Sequence, residues 1–235
     1  MPENRVLSRP RYGVDAPPVP AVLGAAGVAC SLAAVRWRRG RIATAIAGAA
    51  LLANAGVYLH TTVRGKLRVW ERELDRAGLK GDERLLDLGC GRGAVLIAAA
   101  GRLPAGRAVG VDLWTKDQSG NGPAATLANA AAAGVADRVE VRTADMTALP
   151  FADGSFDVVT SALAIHNIPS PEARHRAVDE AMRVLRPGGQ LLVADIGAMA
   201  RTYAAHIGRG TLRPLGPEYW YGGPWFGVTL LHAVK

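Results

Sequence analysis

The stretch Leu85-Leu86-Asp87-Leu88-Gly89-Cys90-Gly91-Arg92-Gly93 constrains the fold more than any other in this 235-residue chain. Residues 84–88 form a short apolar run that reads as a buried strand. It breaks at three glycines spaced by two and passes at once into an Ala-rich helical pattern over 94–101. Glycine is needed where a backbone must turn sharply and press against a ligand, since a Cβ obstructs both. The helix that follows aims its unpaired N–H groups at the same place. The predicted unit is a strand–loop–helix cradle for a nucleotide-like cofactor.

The loop alone admits two cofactors. Gly89-x-Gly91-x-x-Ala94, with Asp112 some 20 residues beyond, satisfies the dinucleotide pattern of a nicotinamide oxidoreductase. Asp87-x-Gly89-x-Gly91-x-Gly93 instead resembles motif I of the class I S-adenosylmethionine (SAM) methyltransferases. Downstream, strand and helix signals alternate, which predicts a parallel sheet between helices. Residues 108–113 read as a second strand that ends in Asp112, an acidic group able to accept both ribose hydroxyls in either cofactor class. A third strand over 139–143 leads to Asp145-Met146, for which the dinucleotide pattern has no counterpart. Then come Leu149-Pro150-Phe151-Ala152-Asp153-Gly154-Ser155-Phe156-Asp157 before strand four and Arg186-Pro187-Gly188-Gly189 before strand five. Taken together, residues 80–200 are similar to SAM-dependent methyltransferases of the ubiquinone/menaquinone-biosynthesis type, with a type 11/25-like domain.

That resemblance implies an α/β fold: a Rossmann-like seven-stranded sheet with helices on both faces, closed by an antiparallel hairpin at one edge. It implies SAM as cofactor. Gly89, Cys90, Gly91 and Gly93 would surround its methionine part, with Asp87 near the amino group. Asp112 would hold the ribose, Leu113 and Trp114 would pack on the adenine, Asp145 would take the adenine amino group, and the Met146 N–H a ring nitrogen. Ser161, at the end of strand four, joins this set. The loop at 160–169 would face the transferred methyl group, and there His166 is the candidate general base, the one nearby side chain of a type suited to that role. Asn167 can only hydrogen-bond. Asp195 is a weaker candidate that also suits a helix cap. The turn-former run Asp117-Gln118-Ser119-Gly120-Asn121-Gly122-Pro123 reads as a loop and helix start, or as a contact to cofactor or substrate. The aromatics of 218–226 read as sheet-edge packing or as a substrate pocket.

Charge separates the chain into two parts. Residues 1–68 hold ten basic and two acidic residues, whereas residues 69–235 hold eighteen of each. A neutral catalytic part argues against a nucleic-acid substrate, and Asn167-Ile168-Pro169-Ser170 is not the tetrad of amino-directed nucleic-acid enzymes. The two cysteines, Cys30 and Cys90, have no metal-ligand spacing and build no disulfide framework.

The basic part is also the apolar part. A Pro-containing polar tail, 1–18, is expected to be extended or disordered. Apolar segments at 19–35 and 42–59 flank Arg36-Trp37-Arg38-Arg39-Gly40-Arg41, and each is close to the roughly 17-residue minimum for a bilayer span. Small residues at four-residue spacing let two such helices pack closely. Residues 19–60 therefore read as a helical hairpin in contact with membrane lipid, either crossing the bilayer or entering one leaflet, with a soluble helical cap as the alternative. The tip arginines oppose the positive-inside rule for a full crossing. A linker helix over 61–79 and the methyltransferase domain over 80–235 complete the expected layout. The enzyme is expected at the membrane with its catalytic domain cytoplasmic, acting on a lipophilic small-molecule acceptor. Nothing in the sequence sets an oligomeric state.

Overall fold

A computed structural model describes residues 10–115 and 120–235. Two helices come first, α1 (Pro18–Arg36) and α2 (Arg41–His60), followed by α3 (Lys66–Ala77). Then β1 (Arg84–Leu88), α4 (Ala94–Ala100), β2 (Arg107–Asp112), α5 (Pro123–Ala132) and β3 (Val139–Thr143) alternate. They are followed by β4 (Phe156–Ala162), α6 (Pro171–Val184), β5 (Leu185–Ile196), α7 (Gly197–Ile207), β6 (Thr211–Pro214) and β7 (Val228–Val234).

The seven strands lie in the order β3-β2-β1-β4-β5-β7-β6. The first five run parallel, and β7 pairs antiparallel with both β5 and β6. Residues 211–214 form β6, with Pro214 at its end on the sheet edge, where a missing N–H is tolerated. Chain order reverses between β1 and β4, and Leu88 sits level with Val111 on one side and Ser161 on the other. In an open α/β sheet the crevice beyond such a reversal is where ligands bind.

Alternation along β1 sorts its side chains. Leu85 faces a core layer with Trp70, Leu74, Leu96 and Tyr219, whereas Leu86 and Leu88 face the layer with Phe156, Val178, Leu185 and Tyr203. Asp87 is therefore turned toward the Leu85 side. On the opposite layer, Ser170 caps α6 by accepting from the Ala173 N–H at 3.1 Å, just ahead of Pro171.

The apolar hairpin and the linker are less separate than expected. The second helix runs unbroken from Arg41 to Ala77 through one π-helical turn, Thr61–Gly65. Residues from outside meet that turn, Asp15 at the Thr62 hydroxyl among them. Thr61 donates to the Trp220 carbonyl at 2.9 Å, and a Cβ on Gly65 would lie 1.9 Å from the Glu218 carbonyl oxygen. From there α3 buries Val69, Trp70 and Leu74 against the sheet. Burying such side chains contributes roughly 1.5–3 kcal/mol each.

Helices α1 and α2 pack on each other where they lack side-chain bulk: a Cβ on Gly27 would meet Leu52, and one on Gly48 would meet Ser31. Their outer faces stay exposed, with Val22 65%, Leu32 66%, Ile42 73% and Ile46 65% accessible. By length and composition, two helices of the chain could cross a membrane.

The expected loose tail is corrected over its described part. Residues 10–17 are tied down on the domain by Arg11, whose N–H donates to Asn129 Oδ1 at 2.8 Å, and by Asp15, which pairs with Lys66 at 2.7 Å. Residues 1–9 lie outside the described set, as do Asp117, Gln118 and Ser119 of the turn-former run.

Candidate active site

The loop after β1 is built as a cradle. The Gly89 and Cys90 N–H groups both donate to the Val111 carbonyl, at 2.8 and 3.1 Å, and the Gly91 N–H donates to Asp112 Oδ2 at 2.8 Å. Gly89, Gly91 and Gly93 take φ of +69°, +49° and +85°, where a side chain costs about 1–2 kcal/mol. Space is the stricter limit at Gly89, whose added Cβ would stand 2.2 Å from the Ala164 Cβ. The loops after β1 and β4 are thus in direct contact across the reversal point.

Four carboxylates surround the cradle. Asp87 is buried and accepts from the Thr160 hydroxyl at 2.8 Å. Burial, reinforced by the charge of Asp112, pushes its carboxyl up to about 7. Asp112 also accepts from the Trp114 N–H at 2.6 Å. Asp145 is exposed, and its Oδ1 takes both the N–H and the hydroxyl of Thr147 at 2.8 Å.

The fourth, Asp195, lies at the end of β5 with no exposure and organises the loop after β4. It accepts from the His166 ring at Nδ1 (2.7 Å), the His166 N–H (3.2 Å), the Ile196 N–H (2.7 Å) and the Tyr203 hydroxyl (3.2 Å). With Nδ1 carrying the proton toward Asp195, His166 keeps its Nε2 lone pair for other work. The loop reaches this arrangement through Leu163, which sits in the left-handed region at φ +53°. A leucine held there marks a constrained segment.

A single cavity of about 920 Å³ collects these groups. Of the residues singled out from sequence, Asp87, Gly89, Cys90, Gly91, Asp112, Leu113, Asp145, Met146 and His166 all line it. Three do not. Gly93 lies behind the loop against Ile97 and Thr126. Ser161 is fully buried and donates to the Leu88 carbonyl at 3.1 Å, tying β4 to β1. Trp114 is turned toward Thr143, to which its indole N–H donates at 2.7 Å. Cys90 lines the cavity, but burial pushes its thiol pKa up, so it is no nucleophile.

The far wall was legible only in its aromatic turn, for which a substrate pocket was one of two readings. It is made by Asp15, Val19, Tyr58, Lys66 and Trp70 from the N-terminal helices and by Tyr219, Tyr221 and Phe226 from the aromatic turn. Asp15 and Tyr221 are 206 positions apart, yet the Tyr221 hydroxyl donates to Asp15 at 2.6 Å. No local pattern signals a pairing of that range. Asn121, at the described end of the turn-former run, also lines the cavity. Its Oδ1 is buried without a hydrogen-bond partner, an acceptor suited to a donor on a bound molecule.

The residues present fit SAM. A glycine cradle approached closely by backbone, an acidic group at the end of β2, a second after β3 and a buried carboxyl facing the cradle match a sulfonium nucleoside bearing an amino acid. Sheet order and site together are those of the class I SAM-dependent methyltransferase fold.

Comparison with known proteins agrees. Residues 86–193 match the family model described as "Methyltransferase domain". The chain is 36% identical over 133 residues to the ubiquinone/menaquinone biosynthesis C-methyltransferase UbiE of Roseobacter denitrificans, covering 56% of this chain and 50% of that protein. It is 34% identical over 148 residues to the demethylmenaquinone methyltransferase of Thermus thermophilus, covering 61% and 63%. A SAM-dependent methyltransferase from Aquifex aeolicus shares the fold, with TM-score 0.54 at 18% identity over 70% of this chain and 88% of that one. The chain spans between half and two thirds of the length of these two curated relatives, and the matched region excludes the apolar hairpin and the aromatic turn.

Proposed function

We propose that this protein transfers a methyl group from SAM to a lipophilic small-molecule acceptor at a membrane, with His166 as general base. One observation carries the reading: His166, oriented by buried Asp195, opens onto the same cavity as the Gly89–Gly91 cradle, Asp112 and Asp145.

Gly89, Cys90 and Gly91 would hold the methionine end of the cofactor, Asp87 its ammonium group, Asp112 its ribose, and Leu113, Asp145 and Met146 its adenine. When bound, the cofactor supplies a methyl group already activated by a sulfonium charge. The protein's task is then to hold the acceptor in line and to remove a proton. His166 Nε2 takes that proton as the acceptor atom bonds to the methyl carbon, and the carbon–sulfur bond breaks with its electron pair going to sulfur. Asp195 balances the imidazolium that forms.

The hairpin supports the membrane part of the reading. Its outer faces expose Val22, Leu32, Val35, Ile42 and Ile46 together, and a run of large apolar side chains on one surface marks a contact with lipid or protein. Asn54, the one conspicuously polar residue of the 42–59 segment, donates to the Gly222 carbonyl at 2.6 Å and marks where the helix meets the domain. Outward from there α2 rises about 20 Å and α1, level with it near residue 25 by the Gly27–Leu52 packing, about 17 Å, roughly two thirds of the ~30 Å hydrocarbon core. Arg36, Arg38, Arg39 and Arg41 at the tip extend that reach by snorkelling to the far headgroups. Exposed Trp37 at the tip, with Trp225 and Phe226 at the collar, matches the aromatic belts of spanning segments. The catalytic domain then lies on the cytoplasmic side. Relatives named for quinone methylation favour a lipophilic acceptor.

Calorimetry of the purified full chain tests the cofactor directly: SAM and S-adenosylhomocysteine should bind, and NADH should not. Binding of NADH alone would return the chain to the oxidoreductase reading.

A further inference from the structure

We infer that the acceptor is gripped by a subsite outside the matched methyltransferase domain, in which the Lys66–Asp15 pair holds a neutral oxygen-bearing head group while Val19 and Phe226 pass its apolar chain to the bilayer. This rests on the methyl-transfer reading and adds to it the residues that choose the acceptor.

The cavity does not end at the cofactor groups. It continues to the inner ends of α1, α2 and α3, where Asp15, Tyr58, Lys66, Trp70 and Tyr221 form its wall. Lys66 is the one cation of this wall, its side chain only 7% exposed. It donates to both Asp15 oxygens at 2.7 Å, and no other partner holds it among the described residues. An ammonium has three N–H donors, so one remains for a ligand.

Asp15 is fully engaged on its side. Burial works against its charge, but Lys66 and the hydroxyls of Tyr221 and Thr62 outweigh that and hold its carboxyl below the usual range. The pair is therefore charged and sums to zero. An anionic head group would meet the Asp15 carboxylate beside its donor, and a cationic one would meet Lys66. A neutral carbonyl, ether or hydroxyl oxygen takes the spare N–H without either cost. The Tyr58 and Tyr221 rings, 5.1 Å apart and edge-on, flank the pair with apolar area.

The exit is set by exposure. Val19 and Phe226 both line the cavity and both reach the surface, at 43% and 56% accessibility. Val19 lies in the first turn of α1, where the exposed apolar face of the hairpin begins. A chain leaving there continues along lipid-facing surface.

The test uses the full-length protein in one detergent, with 4-octylphenol and octylbenzene as probes and binding followed by thermophoresis. The wild type should bind 4-octylphenol at least tenfold tighter than octylbenzene. Asp15→Asn/Lys66→Met should abolish that difference, and Tyr221→Phe, a milder change, should narrow it. Phe226→Ser should weaken both probes alike. Because every variant meets the same detergent, each probe's partitioning is a constant factor, and the subsite is read from the change in the ratio of the two affinities between wild type and variant. Equal binding of the two probes to the wild type, or an undiminished difference in both the double variant and Tyr221→Phe, overturns the subsite. S-adenosylhomocysteine affinity, measured on each protein, reports separately: unchanged values show the cofactor site is folded, and absent binding in the wild type would sink the methyl-transfer reading instead.

Discussion

Asp195 Oδ1 and His166 Nδ1 stand 2.7 Å apart, joining the end of β5 to the loop after β4 across 29 residues of sequence. The carboxylate is inaccessible to solvent while the imidazole side chain is 24% exposed, so the pair presents one working nitrogen to the cavity. His166→Ala should lower kcat by about 10²–10⁴-fold with cofactor affinity unchanged. Asp195→Asn should lower kcat by at least about tenfold, by letting the ring adopt the wrong tautomer. Single-turnover conversion to S-adenosylhomocysteine measures both, and an unaltered pH profile in His166→Ala would falsify the base assignment.

Asp87 should make cofactor binding depend on pH. Its carboxyl is raised by burial to about 7, so below that pH the site holds a neutral acid opposite the cofactor's ammonium group. Binding favours the carboxylate and expels its proton. Affinity should therefore rise as pH increases from about 5.5 to about 7.5, by at most tenfold per unit, with up to one proton released below neutrality. Calorimetry in buffers of different ionisation enthalpy counts that proton. Asp87→Asn should flatten the profile, and a slope that survives the substitution assigns the proton elsewhere.

Gly89→Ala is expected to disable the cradle more than any other single methyl. The backbone there is left-handed, and the new Cβ would fall 2.2 Å from that of Ala164. Either the β1 loop or the β4 loop has to move, and both line the cavity. S-adenosylhomocysteine affinity should drop by at least about tenfold, the equivalent of roughly 1.4 kcal/mol. Gly134→Ala, at an open turn with nothing within 4 Å, serves as the control for backbone strain alone.

The hairpin reading predicts where its tip resides. In a Cys30→Ser background, Arg39→Cys should react with a membrane-impermeant maleimide applied to the face opposite the catalytic domain. Reaction only after the membrane is opened would show that the hairpin turns back within one leaflet.

Much of this architecture is local in origin and therefore readable in one dimension. The strand–glycine–helix step at 84–101, the acidic strand end at Asp112 and Asp145-Met146 after the third strand each need only near neighbours, and the chain folds them as their spacing indicates. The apolar segments also appear as helices within one residue of expectation. Ser161 and Trp114 did not follow their pattern. A strand's side chains alternate, and a backbone turned to φ +58° at Trp114 swings the indole away from the cavity, which composition does not register.

What only the tertiary structure decided is the far wall of the cavity. Asp15 reaches Lys66 and Tyr221, Asn54 reaches Gly222, and Thr61 reaches Trp220. Each contact spans dozens to more than two hundred residues, and a tail and a hairpin that look like appendages become a wall of the site. The sequence alone determined the cofactor cradle, because a glycine loop between a strand and a helix carries its geometry within itself. The far wall depends on a sheet bringing its last strand beside its fifth, and that pairing exists only once the chain is folded.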